Sequence, residues 1–266
     1  IADIPVIVDL ASEYRYRKPS VYGQSSMIVI SQSGESLDTL MALRYAKDLG
    51  LTTNAIVNVI GSTIDREADY SLHTNVGPEI GVASTKSFTS QLIVLFLIAI
   101  SLGRKFKNLD LKKVTQYTEY LNMLPLGIAK MLQLEDKIIS LAQNIKNSKS
   151  VIFLGRGYLY PLALEGALKL KELSYIHAEG FAAGEMKHGP IALIEDDLPV
   201  IMFLIADGYE DKSISNLQEA YSRGSKVIVI GDEISLNKVS FAEIKIQIPD
   251  FCYDFKALLS PVLMAI

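Results

Sequence analysis

The sequence predicts an α/β chain built from two units, each a parallel sheet flanked by helices. Three observations predict it. Apolar, β-branched runs without clean alternation recur at 4–10 (IPVIVDL), 26–31 (SMIVIS) and 53–60 (TNAIVNVI), as expected of strands covered on both faces. An amphipathic helical stretch separates the second run from the third, with loops of only a few residues, the layout of a right-handed βαβ unit. The same order of strand, tight turn and helix then starts again at residue 149 (KSVIFL).

In chain order, ASEYRYRKPSVYGQ at 11–24 is polar and closed by Pro19 and Gly23, so it reads as a surface connection. Residues 37–49 place Leu37, Leu40, Met41, Leu43, Tyr45 and Leu49 around a helix stopped by Gly50. A shorter strand follows at 70–75 (YSLHTN). The apolar run LIVLFLIAISL at 92–102 is too short for a bilayer span and predicts a buried core helix over 89–102. Residues 108–147 are charged and helical in period, which predicts one or two linker helices between a first subdomain at 1–107 and a second at 148–266. The second subdomain should hold a long helix at 161–175, strands near 199–205, 225–231 and 243–248, an amphipathic helix at 211–223, and a closing helical segment from Tyr253 to Ile266. The GRG turn at 155–157 is weak evidence for a dinucleotide, because Tyr160 stands where a GxGxxG fingerprint needs its third glycine.

Composition narrows the function classes. The chain has 266 residues and a net charge of −4 from 26 basic and 30 acidic residues, well mixed, so neither a nucleic-acid surface nor a polybasic membrane patch is indicated. A single cysteine, Cys252, excludes an intrachain disulfide framework and a cysteine-based metal cluster, and fits a reducing compartment, with the cytoplasm as the expected location. Three scattered histidines, with no HExxH and no GxSxG, speak against metal hydrolysis and a serine triad; no metal and no cofactor is expected. No signal peptide is visible at IADIPVIVDL.

The chemistry concentrates in three places. IVISQSGESLDT at 28–39 reads as a buried strand, a tight hydroxyl-rich loop and the first turn of a helix. A helix start has unpaired N–H groups and a partial positive charge, so Ser31, Gln32, Ser33 and Ser36 suit a phosphate cradle. No lysine sits in the loop, which favours a sugar phosphate over a nucleotide; helix capping by Ser33 or Ser36 is the competing reading. GPEIGVASTKSF at 77–88 is a second donor-rich helix start, with helix capping by Ser84 or Thr85 as the competing reading. In the helix at 161–175, Glu165, Lys169 and Glu172 fall within one stripe at spacings of four and three. They form either an acid/base pair, which burial and mutual charge can tune toward neutrality, or an ion pair bracing the helix. His188, among Gly184, Gly189 and Pro190, is expected on a loop, where a histidine can act as acid or base; His73 in a strand and His177 at a helix end read as structural.

SQSGES, ASTKSFTSQ at 83–91 and ALEGALKLKELSYIHAEGFAAGEMKHGP at 163–190 closely resemble the isomerase half of the glutamine:fructose-6-phosphate amidotransferase family, within the SIS (sugar isomerase) superfamily. The resemblance runs through nearly the whole chain and implies two SIS subdomains, each a flavodoxin-like three-layer sandwich. It implies conversion of fructose 6-phosphate, with glutamine-derived ammonia, to glucosamine 6-phosphate. Glu172 would move the proton between C1 and C2, Lys169 would assist its removal, and His188 would open the sugar ring from the neighbouring subunit of a homodimer. Val82 and Ser84 would lie against the sugar. The family's glutaminase half, a sugar-binding serine in an upstream CGTS loop and a Schiff-base lysine in a C-terminal tail have no counterpart here; Cys252 and Lys256 do not match them, so the chain reads as a fragment. The rival readings are another SIS enzyme such as a fructosamine-phosphate deglycase, and a non-catalytic sugar-phosphate sensor, which would have no reason to keep Glu172, Lys169 and His188 together.

Overall fold

The computed structural model describes residues 1–21, 23 and 25–250, and the chain divides into two compact units, Ile1–Gln116 and Tyr117–Ile266. Cys252, Lys256 and the helical segment expected from Tyr253 lie outside the described residues.

The first unit opens with an irregular stretch and a single helical turn, α1 (Ala11–Tyr14). It continues through β1 (Ser26–Ser31), α2 (Leu37–Asp48), β2 (Thr52–Val57), a short α3 (Thr63–Glu67), β3 (Tyr70–His73) and α4 (Thr85–Lys105). The strands form a parallel sheet in the order β1-β2-β3. Val29, Ala55 and Val57 pack with Leu40 and Leu43 of α2 and Ile64 of α3, and this small core fixes where β1 ends and α2 begins. At the far end of α2, Gly50 takes φ +77° and its N–H bonds the Lys47 carbonyl, the helix stop expected of it.

Three expectations fail in this unit. Residues 4–10 form no strand: Val6, Ile7 and Val8 are 72–90% exposed, and no described strand lies alongside to complete a ladder. β1 is also not covered on both faces, since Ile28 and Ile30 remain about two-fifths exposed on the side away from α2. The predicted core helix at 89–102 is a 21-residue helix, long and apolar enough by length and composition to span a membrane, and only Ser87, Thr89, Ile100 and Gly103 of it are buried. Near its end a Cβ on Gly103 would come within 3.1–3.3 Å of the Ile1–Ala2 backbone, and just beyond the helix Asn108 donates to the Ala2 carbonyl. Leu97 is about half exposed, and most of the other long aliphatic side chains are only partly buried.

Helix α5 (Leu111–Leu132) spans the division between the units and α6 (Glu135–Ile145) follows it. The second unit then runs β4 (Ser150–Gly155), α7 (Tyr160–Ser174), β5 (His177–Ala182), β6 (Pro199–Leu204), α8 (Glu210–Tyr221), β7 (Lys226–Gly231), α9 (Glu233–Lys238) and β8 (Ile244–Gln247). All five strands are parallel, in the order β5-β4-β6-β7-β8. Strands β6 and β7 are apolar and buried along nearly their whole length, as the unbroken runs require. One face packs Ile152, Leu154, Met202 and Val229 on Leu217 and Ala220 of α8. On the other face Phe153 and Phe203 stack at 6.4 Å.

Strand β5 was not expected, and it puts His177 at the start of a strand on the sheet edge instead of at a helix end. At Gly180, opposite Phe153 of β4, a Cβ would come within 2.7 Å of the α7 backbone at Ala163 and Leu164. That close approach seats α7 directly on β4 and β5.

Candidate functional site

In the first unit the SQSGES loop connects β1 to α2. Neither nearby serine caps the helix: Ser36 occupies the N-cap position of α2 without a side-chain cap bond, and its hydroxyl lies 3.1 Å from that of Ser31. Ser31 accepts the Gly34 N–H at 3.1 Å, and Ser33 accepts the Glu35 N–H at 3.1 Å. A hydroxyl that accepts a backbone N–H keeps its own O–H to donate. The loop therefore retains hydroxyl donors at the positive end of a twelve-residue helix.

Helix α3, too short to predict from periodicity, supports the loop from beneath. Gly34 has φ +65°, and a Cβ there would lie 2.0 Å from the Ser62 hydroxyl. Its carbonyl accepts the Ile64 N–H at 2.9 Å, and Glu35 accepts the Thr63 N–H at 2.7 Å, which lowers the Glu35 carboxyl below its ordinary range. Gln32 continues into an open groove of about 630 Å³ beyond the strand ends, where Asn58, Asn75 and Glu79 also face the space. Asn58 accepts from the Thr74 hydroxyl and the Val76 N–H, both at 3.0 Å, and donates to the Gly77 carbonyl at 3.0 Å, shaping the loop that leads to Val82 and Ser84. Val82 is exposed; Ser84 is the N-cap of α4 but, like Ser36, makes no capping bond.

His73 pairs with Asp65 at 2.9 Å. The Gly61 N–H, more than the histidine, holds that carboxyl below its usual range. His73 thus ties β3 to α3.

In the second unit the helical spacing brings the three charged residues of α7 together. The Lys169 ammonium is buried, 2.9 Å from Glu165 and 3.5 Å from Glu172. His188 ends a 3-10 turn (Ala183–His188) rather than lying in an open loop, because Ala183 and Met186 are buried in the core and anchor the turn. The side chain is exposed, and Gly189 beyond it has φ +136°. Lys187 pairs with Glu219 of α8 at 2.6 Å, while Arg156, leaving β4, donates to Ser213 and Asn216 of α8 and packs against Gly184. These contacts hold the turn without using His188. Among the described residues no hydrogen bond or ion pair joins His188 to the α7 stripe. No cluster of metal-ligating side chains occurs among the described residues.

Sequence reasoning missed Glu35, Asn58, Ser62, Glu79 and Arg156, all of which act through tertiary contacts; only the acidic residues flanking the two hydroxyl-rich loops gave a local signal.

The SIS domain family matches residues 1–101 and 144–249. The chain is 50% identical over 232 residues to the isomerizing glutamine–fructose-6-phosphate aminotransferase of Chlorobaculum tepidum, covering 87% of this chain and 38% of that protein. It is 45% identical over 265 residues to the enzyme of the same name from Leifsonia xyli subsp. xyli, covering 98% of this chain and 43% of the relative. The chain thus spans about two-fifths of the length of these curated relatives. The solved C-terminal domain of glucosamine-fructose-6-phosphate aminotransferase from Francisella tularensis superposes with a TM-score of 0.94 at 38% identity, covering 99% of this chain and 74% of that one.

Proposed function

Because the chain belongs to the SIS domain family and aligns with the isomerase part of glutamine–fructose-6-phosphate aminotransferases, we propose that it binds fructose 6-phosphate and serves its conversion to glucosamine 6-phosphate in amino sugar biosynthesis. The observation that carries the reading is the pair of helix starts whose serines, Ser36 and Ser84, leave capping undone. Serines used as caps would have supported a purely structural role.

In this reading Ser31, Gln32, Ser33 and Ser36 hold the phosphate dianion through hydroxyl and backbone donors, and Val82 and Ser84 face the sugar. Glu172, the more solvated carboxylate beside Lys169, takes the proton at one carbon of the C1–C2 pair and returns it at the other. Lys169 stabilises the carboxylate form of Glu172 as the proton leaves it. His188, exposed on an anchored turn, would serve the ring of a sugar held by a second copy, so the working unit in this reading is a homodimer. Ammonia comes from a glutaminase domain of the intact protein, and the cytoplasm is where such chemistry belongs. Phosphorus NMR of fructose 6-phosphate tests the binding step: adding the chain should shift or broaden the resonance, and excess unphosphorylated fructose should not restore it. An unperturbed resonance at millimolar protein would overturn the proposal.

A further inference from the structure

The start of α4 is capped by a residue outside the helix. Glu79 accepts both the backbone N–H and the hydroxyl of Ser87 through one carboxylate oxygen, each at 2.9 Å. Ser87 is buried in the first turn of α4, and its N–H is one of the donors that every helix start leaves open. The ordinary solution is the hydroxyl of the N-cap residue acting from an extended backbone. Ser84 holds that position but has a left-handed backbone, φ 55° and ψ 47°, and its hydroxyl makes no cap bond. A non-glycine residue keeps that conformation only where its surroundings impose it.

We infer that Glu79 is a positioning residue: by capping α4 in place of Ser84, it holds Ser84 in the left-handed conformation and leaves that hydroxyl to the bound sugar phosphate. This rests on the reading above, in which Ser84 faces the ligand. Glu79 also borders the groove beside Gln32, so the residue that secures α4 is built into the wall of the same pocket.

The test is calorimetric titration of the chain with fructose 6-phosphate, comparing the unsubstituted protein with Glu79→Ala, Glu79→Gln, Ser84→Ala and the Glu79→Ala/Ser84→Ala pair, each checked for folding by thermal unfolding. Glu79→Ala should weaken binding about as much as Ser84→Ala, on the order of tenfold for one lost hydrogen bond to a charged group. Glu79→Gln keeps an acceptor oxygen and should retain most of the affinity. The double variant should bind no more weakly than Ser84→Ala alone, because Glu79 acts through that hydroxyl. If Glu79→Ala does not fold, Glu79→Asp keeps the charge with too short a reach to Ser87 and should lose affinity likewise. Unchanged affinity in a folded Glu79→Ala or Glu79→Asp protein, or fully additive losses in the double variant, overturns the inference while leaving sugar-phosphate binding intact. Absence of binding by the unsubstituted chain overturns the sugar-phosphate reading itself, and the inference with it.

Discussion

The ammonium of Lys169 lies 3.5 Å from the carboxylate of Glu172, nearly one turn further along α7. Glu165 sits closer, at 2.9 Å, and is the less exposed of the two carboxylates, 14% against 36%. One buried cation therefore has a tight partner and a looser, wetter one. In an intact aminotransferase, Glu172→Gln should lower turnover by about 10²- to 10⁴-fold with sugar-phosphate affinity little changed. Steady-state kinetics combined with a binding titration checks this; turnover equal to that of the unsubstituted enzyme returns Glu172 to bracing the helix.

Lys169 itself should matter for stability. Lys169→Met removes the cation between two carboxylates and leaves Glu165 largely buried without it, a case between an exposed ion pair and a fully buried one. The expected cost is about 2–4 kcal/mol, read from urea unfolding. A loss within a few tenths would show that water already satisfies Glu165.

Gly34 is required twice over, by its left-handed backbone and by Ser62 beneath it. Gly34→Ala should lower stability by about 2 kcal/mol or more, combining backbone strain with a steric clash. Adding Ser62→Gly should recover the steric part and leave the backbone part. Thermal unfolding of the single and double variants separates the two; no recovery in the double variant would place the whole cost in the backbone.

Acid should weaken the α8–α9 corner. Lys238 bonds Glu210 at 2.8 Å and Asp211 at 3.0 Å, which holds the Glu210 carboxyl below its usual range and the Lys238 ammonium above its own. A carboxyl lowered on folding contributes stability that is fully present above its unfolded value of about 4.3 and is lost as pH falls through the folded one. The lysine contribution is lost only at the alkaline end, above about 10.4. Glu210→Gln should therefore melt below the unsubstituted chain at pH 7, with the gap closing as pH drops below about 4. A gap of constant size down to pH 3 contradicts the pairing.

The parts of the fold that were legible in the sequence are those whose cause is local. Leu40, Leu43 and Gly50 announce α2 and its end through periodicity and a glycine stop, and spacings of four and three are enough to align Glu165, Lys169 and Glu172. The stretch at 4–10 has strand-forming side chains, but a strand exists only beside a partner, and side-chain preference carries no information about neighbours. Strand β5 was hidden for the opposite reason: HAEGFA has no apolar run, since an edge strand needs little burial, and its place is set by β4 and by Gly180. Helix α3 is too short for a period to show. At the site, the hydroxyls of the two helix starts were readable, while the contacts around them, Glu79 with Ser87 and Ser31 with Ser36, are set by how each loop folds and not by any period.

The central claim is that the loop from Ser31 to Ser36 binds the phosphate of a hexose 6-phosphate. Calorimetric titration of fructose 6-phosphate into this chain and its Ser33→Ala/Ser36→Ala variant tests it most directly. Loss of two donors to a charged group predicts affinity weaker by about 1–3 kcal/mol, roughly 5- to 150-fold, in a variant that still folds. Equal affinity in the folded double variant would contradict the account.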